Sequence, residues 1–367
     1  MKSMIYLDHN ATTDLRPEAM AAMSELWTHV GNPSSVHGAG RVARQAMDRA
    51  RAAVARAVNV KPAEILFTSG GTEANATALG GFGWSRVFYS ATEHDSVRAA
   101  LPEAAPLPVD GAGLLDLEAL QAALADGPAL VAVMLANNET GTIQPIAEIA
   151  AMVHAAGGHL HVDAVQALGK ISVDVRALQA DSMSLSAHKL GGPAGIGALV
   201  IREGLDLRPL LSGGGQEMRR RSGTENLIGI VGFGAAVSRA NPAEFAEAAR
   251  LRDLIESLIA EVAPDAHVFS AGVARLPNTL CVAMPGVPSE TQVMALDLKG
   301  ICVSAGSACS SGKVQRSHVL AAMQVPDDLA RTAIRVSLGR NTDEAEVRRF
   351  VDGWIGHYRK TREKALS

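Results

Sequence analysis

Cysteine is scarce in this chain: three residues, Cys281, Cys302 and Cys309, among 367. The number is odd and none stands in a CxxC or other metal-ligand spacing, which argues against a disulfide framework and against zinc or iron–sulfur ligation and fits a reducing compartment. Long apolar runs are missing too. The longest, ALVAVMLA at 129–136, falls far short of the ~20 residues that a bilayer-spanning helix needs. The opening MKSMIYLDHN reaches Asp8 and His9 before any apolar stretch of signal-peptide length. The expectation is a cytoplasmic protein without a membrane partner. An excess of basic charge is lacking as well: 34 Lys and Arg stand against 38 Asp and Glu, a formal net charge of −4. That balance counts nucleic acid out as an expected partner, because a binder of phosphate backbones carries a surplus of cations. No repeat or low-complexity tract breaks the chain.

What is present is an ordinary globular composition, 47% hydrophobic and 20% charged, with length for one large domain and a smaller one. Short apolar runs read as buried strands: EILF (64–67), RVFYSA (86–91), ALVAVMLA (129–136), HLHVDA (159–164), SMSLSA (182–187) and GALVIR (197–202). Amphipathic stretches such as IAEIAAMVHAAG (146–157) lie between them. This alternation predicts an α/β fold with a mainly parallel central sheet and flanking helices, whose ligand sites form beyond the carboxyl ends of the strands. From Pro242 the texture changes to a long helix, shorter strands and a final helix from Thr342. The expected division is a large domain over 14–241 and a smaller α+β domain made of 1–13 and 242–367.

Polar residues gather at the ends of the predicted strands. After EILF comes TSGGTEANATALGG, a glycine turn opening a helix near Thr72. Backbone N–H groups and the positive end of a helix dipole make such a start an anion site, although glycine turns before helices are also simply structural. HLHVDAVQALGK ends a strand with Asp163 and then Gln166. A carboxylate there either caps the next turn or pairs with a cationic ring nitrogen. SLSAHKLGGPAGIG ends another with Ser186, His188 and Lys189. Strand-end lysines are usually solvated, but one flanked by Leu190 and small residues is suited to partial burial, a lowered amine pKa and Schiff-base chemistry. Taken in order, helix start, carboxylate and lysine suggest pyridoxal phosphate.

The segments YLDHNATT, GNPSSVH, FTSGGTEAN, ATEHDSV, NNETGTIQPI, HVDAVQALGK, SAHKLGGPAGIG, RRRSGTEN, SAGSACSSG and IRVSLGRNT occur in that order from Tyr6 to Thr342. Together they resemble the cysteine desulfurases, the NifS-like group of the class V aminotransferases, which carry the type I pyridoxal-phosphate fold. The short GSAC context is similar to the subgroup with a long active-site loop, here about 304–316. The resemblance implies that Lys189 carries pyridoxal 5′-phosphate covalently, that Asp163 pairs with its ring nitrogen and that Gln166 meets its ring hydroxyl oxygen. It implies that His94 stacks on the ring and shuttles protons, and that Gly71, Thr72, Ser186 and His188 hold the phosphate. Thr224 of a second copy would join them, making the dimer part of the site. Arg335 would clamp the substrate carboxylate with Asn32 and Asn138 in support; without the family, Arg335 reads as an ion-pair residue and His94 as a loop histidine.

The same resemblance accounts for SAGSACSSG, which sets Cys309 among glycine, alanine and serine only. A cysteine that takes sulfur from L-cysteine, leaving alanine and a protein persulfide, must reach inward to react and outward to deliver, and small neighbours allow both. Cys281 in NTLCVAM and Cys302 in KGICVSA read as structural cysteines among apolar neighbours. The expected receiver is a sulfur-acceptor or iron–sulfur scaffold protein. Two departures stand out: a short connection, LGGFGWS, before Arg86 that would alter the rim of the site, and an end soon after the last helix, without the tail that housekeeping members use on a scaffold. Alternatives are a selenocysteine or cysteine-sulfinate lyase, told apart by turnover on those substrates, an aminotransferase, which has no role for Cys309, and a non-catalytic sulfur carrier, which would stay colourless with pyridoxal phosphate.

Overall fold

The computed structural model describes residues 4–306 and 316–366, and Cys309 lies outside them. After a two-residue β1 (Ile5–Tyr6), the central sheet is built from β2 (Ile65–Thr68), β3 (Val87–Ser90), β4 (Ala105–Leu107), β5 (Leu130–Met134), β6 (His159–Asp163), β7 (Ser182–Ser186) and β8 (Gly197–Ile201). Their order is β2-β8-β7-β6-β5-β3-β4. The five strands from β7 to β4 run parallel, whereas β8 is antiparallel to both β2 and β7. The strands fall where the apolar runs predicted them. β4 is the exception: APL is short, contains proline and takes the edge of the sheet, where a missing N–H is tolerated.

Residue type explains how each strand is used. β5 (LVAVM) and β8 (GALVI) are apolar on both faces and wholly buried, as a sheet covered by helices on both sides requires. β6 (HLHVD) and β7 (SMSLS) alternate instead, yet every residue is buried. Their register, His161 opposite Ser182 and Asp163 opposite Ser184, gathers histidine, aspartate and serine on one face. Leu160, Val162, Met183 and Leu185 enter the main core on the other.

A second core lies beyond Pro242. β9 (His267–Val268), β10 (Thr279–Ala283), β12 (Ser304–Ala305) and β13 (Ala333–Ser337) form a sheet in the order β12-β13-β10-β9, and β11 (Ile301–Cys302) pairs in parallel with β1. Ile5 and Leu7 of the N-terminal segment are buried with Leu251, Ile255, Ile334, Val336, Phe350 and Trp354. The long helices Ala246–Val262 and Glu344–Leu366 cover this sheet with their apolar stripes. Among the described residues no helix is long and apolar enough to cross a membrane.

Candidate active site

A cavity of about 420 Å³ opens where the carboxyl ends of β5, β6 and β7 meet the N-terminal segment and β13. Gly71, Thr72, His94, Asn138, Asp163, Gln166, Ser186, His188, Lys189 and Arg335 all line it.

The helix Gly71–Gly81 starts at the cavity, and its N-cap Gly70 and first residue Gly71 carry no side chain. A Cβ on Gly71 would stand 2.7 Å from Val165 Cγ2, and one on Gly197 would stand 2.6 Å from the Leu185 carbonyl oxygen and 2.7 Å from the Gly70 carbonyl carbon. Glycine therefore lets the turn press against β7, β8 and the residue after Asp163. This helix start lines the cavity beside Ser186 and His188, an arrangement suited to an anion.

Lys189 ends the single turn Ala187–Lys189 after β7, and its Nζ donates to the carbonyl oxygens of Asn10 (2.6 Å) and Ala11 (2.8 Å). Asp163 closes β6; its Oδ1 accepts from the Val165 N–H at 2.9 Å and its Oδ2 from Asn75 Nδ2 at 2.8 Å. The second Nδ2 proton of Asn75 goes to Ser96 Oγ at 2.8 Å. His94 Nδ1 accepts from the Ser96 N–H at 3.1 Å, so in the neutral ring Nε2 carries the proton. Burial, reinforced by Lys189, lowers the His188 pKa to about 4, which leaves that ring neutral at pH 7.

Arg335 of β13 donates from Nη2 to Asp8 Oδ1 (2.6 Å) and from Nη1 to the Asn138 carbonyl (3.2 Å), while its Nε is buried without a hydrogen-bond partner. Asp8 was quoted in the motif YLDHNATT without a role. Asn10 was too, and it is a junction: Gln166 Nε2 donates to its carbonyl at 2.9 Å, and Lys170 Nζ donates to its Oδ1 at 2.8 Å and to Gln166 Oε1 at 2.7 Å. Lys170 is buried, and burial, then Lys189 and Arg335, hold its pKa well below the usual lysine value. Its two acceptors are neutral amide oxygens, so no carboxylate offsets that shift in these two bonds. Lys170 lies four residues after Gln166 in HVDAVQALGK, one helical turn, which was the available signal for it.

The remaining expected residues lie apart. Asn32 is exposed, with its Oδ1 accepting from the Ser34 N–H at 2.8 Å in a local turn. Thr224 is exposed in the loop before the helix Leu227–Arg239. Neither lines the cavity of the single chain. The LGGFGWS connection does not reach its rim either: Phe82 packs on His159 at the opposite end of β6, with ring centroids 4.3 Å apart. Cys281 is fully buried, which pushes its thiol pKa up, and Cys302 is half-buried and shifted the same way.

An amine, a carboxylate and an anion-binding helix start that share one cavity at the strand ends define a class: enzymes of the pyridoxal-phosphate-dependent transferase fold. The family model described as aminotransferase class-V matches residues 5–350. A cysteine desulfurase of Cereibacter sphaeroides is 45% identical over 95% of this chain and 94% of its own length. The cysteine desulfurase NifS of Azotobacter vinelandii is 41% identical over 95% of this chain and 90% of its own. Among solved structures, a NifS-like protein from Rickettsia africae superposes with a TM-score of 0.89 at 34% identity, covering 97% of this chain and 99% of that one. The chain belongs to the class V aminotransferase family, in its NifS-like cysteine desulfurase group. That family depends on pyridoxal phosphate in general, and its fold is the α/β architecture described above.

Proposed function

We propose that this enzyme removes sulfur from L-cysteine, releasing L-alanine and leaving the sulfur as a persulfide on Cys309 for an acceptor protein of sulfur or iron–sulfur assembly. The observation that carries the reading is the convergence of Lys189 and Asp163 on one cavity with the helix start at Gly71 and Thr72. The donor set fits pyridoxal phosphate: an amine for the aldehyde, a carboxylate for the ring nitrogen, Gln166 for the ring oxygen, and Gly71, Thr72, Ser186 and His188 for the phosphate. Bound there, the cofactor supplies an electron-accepting ring that loosens the bonds at the substrate's Cα and Cβ.

The chain's own residues do the rest. Arg335, held by Asp8 and the Asn138 carbonyl, turns its guanidinium to the substrate carboxylate. Lys189, whose amine would hold the cofactor's aldehyde, would move the Cα proton. His94, whose Nε2 carries a proton in the neutral ring, would stand beside the cofactor ring and hold that proton for transfer. The Cys309 thiolate would attack the substrate sulfur; a sulfur–sulfur bond forms as the carbon–sulfur bond breaks, the electron pair of that bond passes to the carbon, and the carbon takes up the proton lost by the thiol, so that the carbon is reduced and the sulfur oxidised without another reactant. In this reading 14–241 carries the cofactor, while 1–13 with 242–367 carries Cys309 and Arg335. The working form is a homodimer in which exposed Thr224 completes the phosphate site of its partner.

The test is incubation of the purified, yellow protein with L-cysteine. Equal amounts of alanine and reducible sulfur are expected, with the mass of one sulfur gained on the peptide containing Cys309. Cys309→Ser should keep its colour and its spectral response to L-cysteine but lose alanine formation by at least about a hundredfold, because a serine hydroxyl is un-ionised near neutrality. Alanine release by Cys309→Ser near the wild-type rate rules out this acceptor, and no alanine from wild type rules out the activity.

A further inference from the structure

A line of buried hydrogen bonds runs from the cavity along the polar face of β6 and β7. Asp163 Oδ2 accepts from Asn75 Nδ2 (2.8 Å), Asn75 Oδ1 meets His161 Nε2 (3.0 Å), His161 Nδ1 meets Ser182 Oγ (2.9 Å), and Ser182 Oγ meets His159 Nε2 (3.0 Å). Asn75, His161, Ser182 and His159 are all at least nine-tenths buried. The far end is closed by aromatic rings, Phe82 at 4.3 Å and Trp84 at 6.3 Å between centroids. None of these four residues has a part in the chemistry above.

The direction of every bond follows from the first. An ionised carboxylate only accepts, so Asn75 turns its NH2 toward Asp163 and Ser96 and its Oδ1 toward His161. Asn75 Oδ1 needs a donor, which puts the His161 proton on Nε2. His161 Nδ1 is then bare and accepts the single hydroxyl proton of Ser182, and Ser182 in turn accepts from a proton on His159 Nε2. Burial agrees with neutral rings throughout: it lowers the pKa of His161 to about 3, helped by His159. It lowers that of His159 to about 4, on which Asp181, Arg202 and His154 also act. Ser184 Oγ, 3.3 Å from His161 Nε2, is the further polar group on that ring.

We infer that His161 is a positioning residue for Asp163: acting through Asn75, it fixes the amide orientation that holds the carboxylate toward the cavity, and Ser182 and His159 fix His161 in turn. The inference rests on the cofactor reading proposed above. Polar groups in a sheet interior cost stability unless every one is paired, and an apolar face would have served the fold alone. Here every bond from Asp163 to His159 Nε2 has a donor and an acceptor, and the line ends on the carboxylate assigned to the cofactor ring.

Nitrogen NMR of 15N-histidine-labelled wild-type protein at pH 7, with and without pyridoxal phosphate, tests the tautomers directly. Both His161 and His159 should be neutral with the proton on Nε2. A proton on Nδ1 of His161, or a charged ring, overturns the inference. Equilibrium affinity for pyridoxal phosphate supplies the second arm. His161→Leu, which leaves Asn75 Oδ1 unpaired, should weaken binding about tenfold, the equivalent of one buried hydrogen bond. His161→Gln, which still offers an N–H, should recover most of that. Unchanged affinity in His161→Leu, while Asp163→Asn binds more weakly, overturns the positioning role and leaves the cofactor reading intact. Wild-type affinity in Asp163→Asn removes the cofactor reading itself, and this inference with it.

Discussion

At the scale of the residue, Glu139 stands out. It follows Asn138 in NNETG, is buried, and its Oε2 accepts from Ser317 Oγ at 2.6 Å. Burial raises its pKa to about 7, against the opposing pull of Ser317 and Arg335. The unfolded chain releases this proton near the ordinary value of 4.5. Between those two values the folded state holds a proton that the unfolded state has lost, so stability falls as pH rises through that window and levels off above it. Comparing wild type with Glu139→Gln in urea at pH 5 and pH 8 should show the glutamine variant gaining on wild type by roughly 2.5 kcal/mol at the higher pH. An equal difference at both values would mean that the native carboxyl is already ionised at pH 5. The sequence showed most of the cavity's residues because each closes a strand or opens a helix, as Lys189, Asp163 and Gly71 do. It did not show Asp8, Asn10 or Lys170, whose importance comes from hydrogen bonds between segments more than a hundred residues apart.

At the scale of the element, the decisive piece is the turn into the helix Gly71–Gly81. Gly71→Ala would drive a Cβ to 2.7 Å from Val165 Cγ2, and valine, stiff at χ1, yields poorly. The expected cost is about 1–3 kcal/mol of stability, together with a loss of affinity for inorganic phosphate and pyridoxal phosphate as the helix start is pushed off the cavity. Thermal unfolding and a binding titration on the variant check both; unchanged phosphate affinity would show that this helix start is not the anion site. Strand positions were legible because β5 and β8 are short apolar runs between glycine turns. The alternation in HLHVD and SMSLS was equally visible, but in a strand buried on both faces its meaning depends on the register with a neighbour, which no single stretch of sequence contains.

At the scale of the whole molecule, the shared site proposed for Thr224 has a direct test. Mixed dimers of a Lys189→Ala chain and a Thr224→Val chain hold both defects in one site and leave the other complete. Each parent dimer should be impaired, and the mixture should regain up to half of the wild-type activity per heterodimer. No recovery from confirmed heterodimers would place Thr224 in its own chain's site, and an unimpaired Thr224→Val parent would place it in none. The change of texture at Pro242 is the sequence feature behind the expected division of the chain. That expectation also set residues 1–13 with the later part of the chain, and Ile5 and Leu7 are buried there, although a two-residue strand carries no periodicity of its own.

The pairing of the first strand with the last part of the chain also sets a timetable. Asp8 meets Arg335 across a sequence separation of 327 residues, and Ile5 pairs with Ile301. At about 5–20 residues per second, the N-terminal segment waits on the order of 15–65 seconds after leaving the ribosome before its partner strands are made. During that interval β2 to β8 already exist, and Lys189 and Asp163 with them, yet the carbonyl groups of Asn10 and Ala11 that receive the Lys189 amine are not yet held in place from the other side. The nascent chain thus carries Lys189 and Asp163 before the strand that brings Arg335 to the cavity, β13, is made.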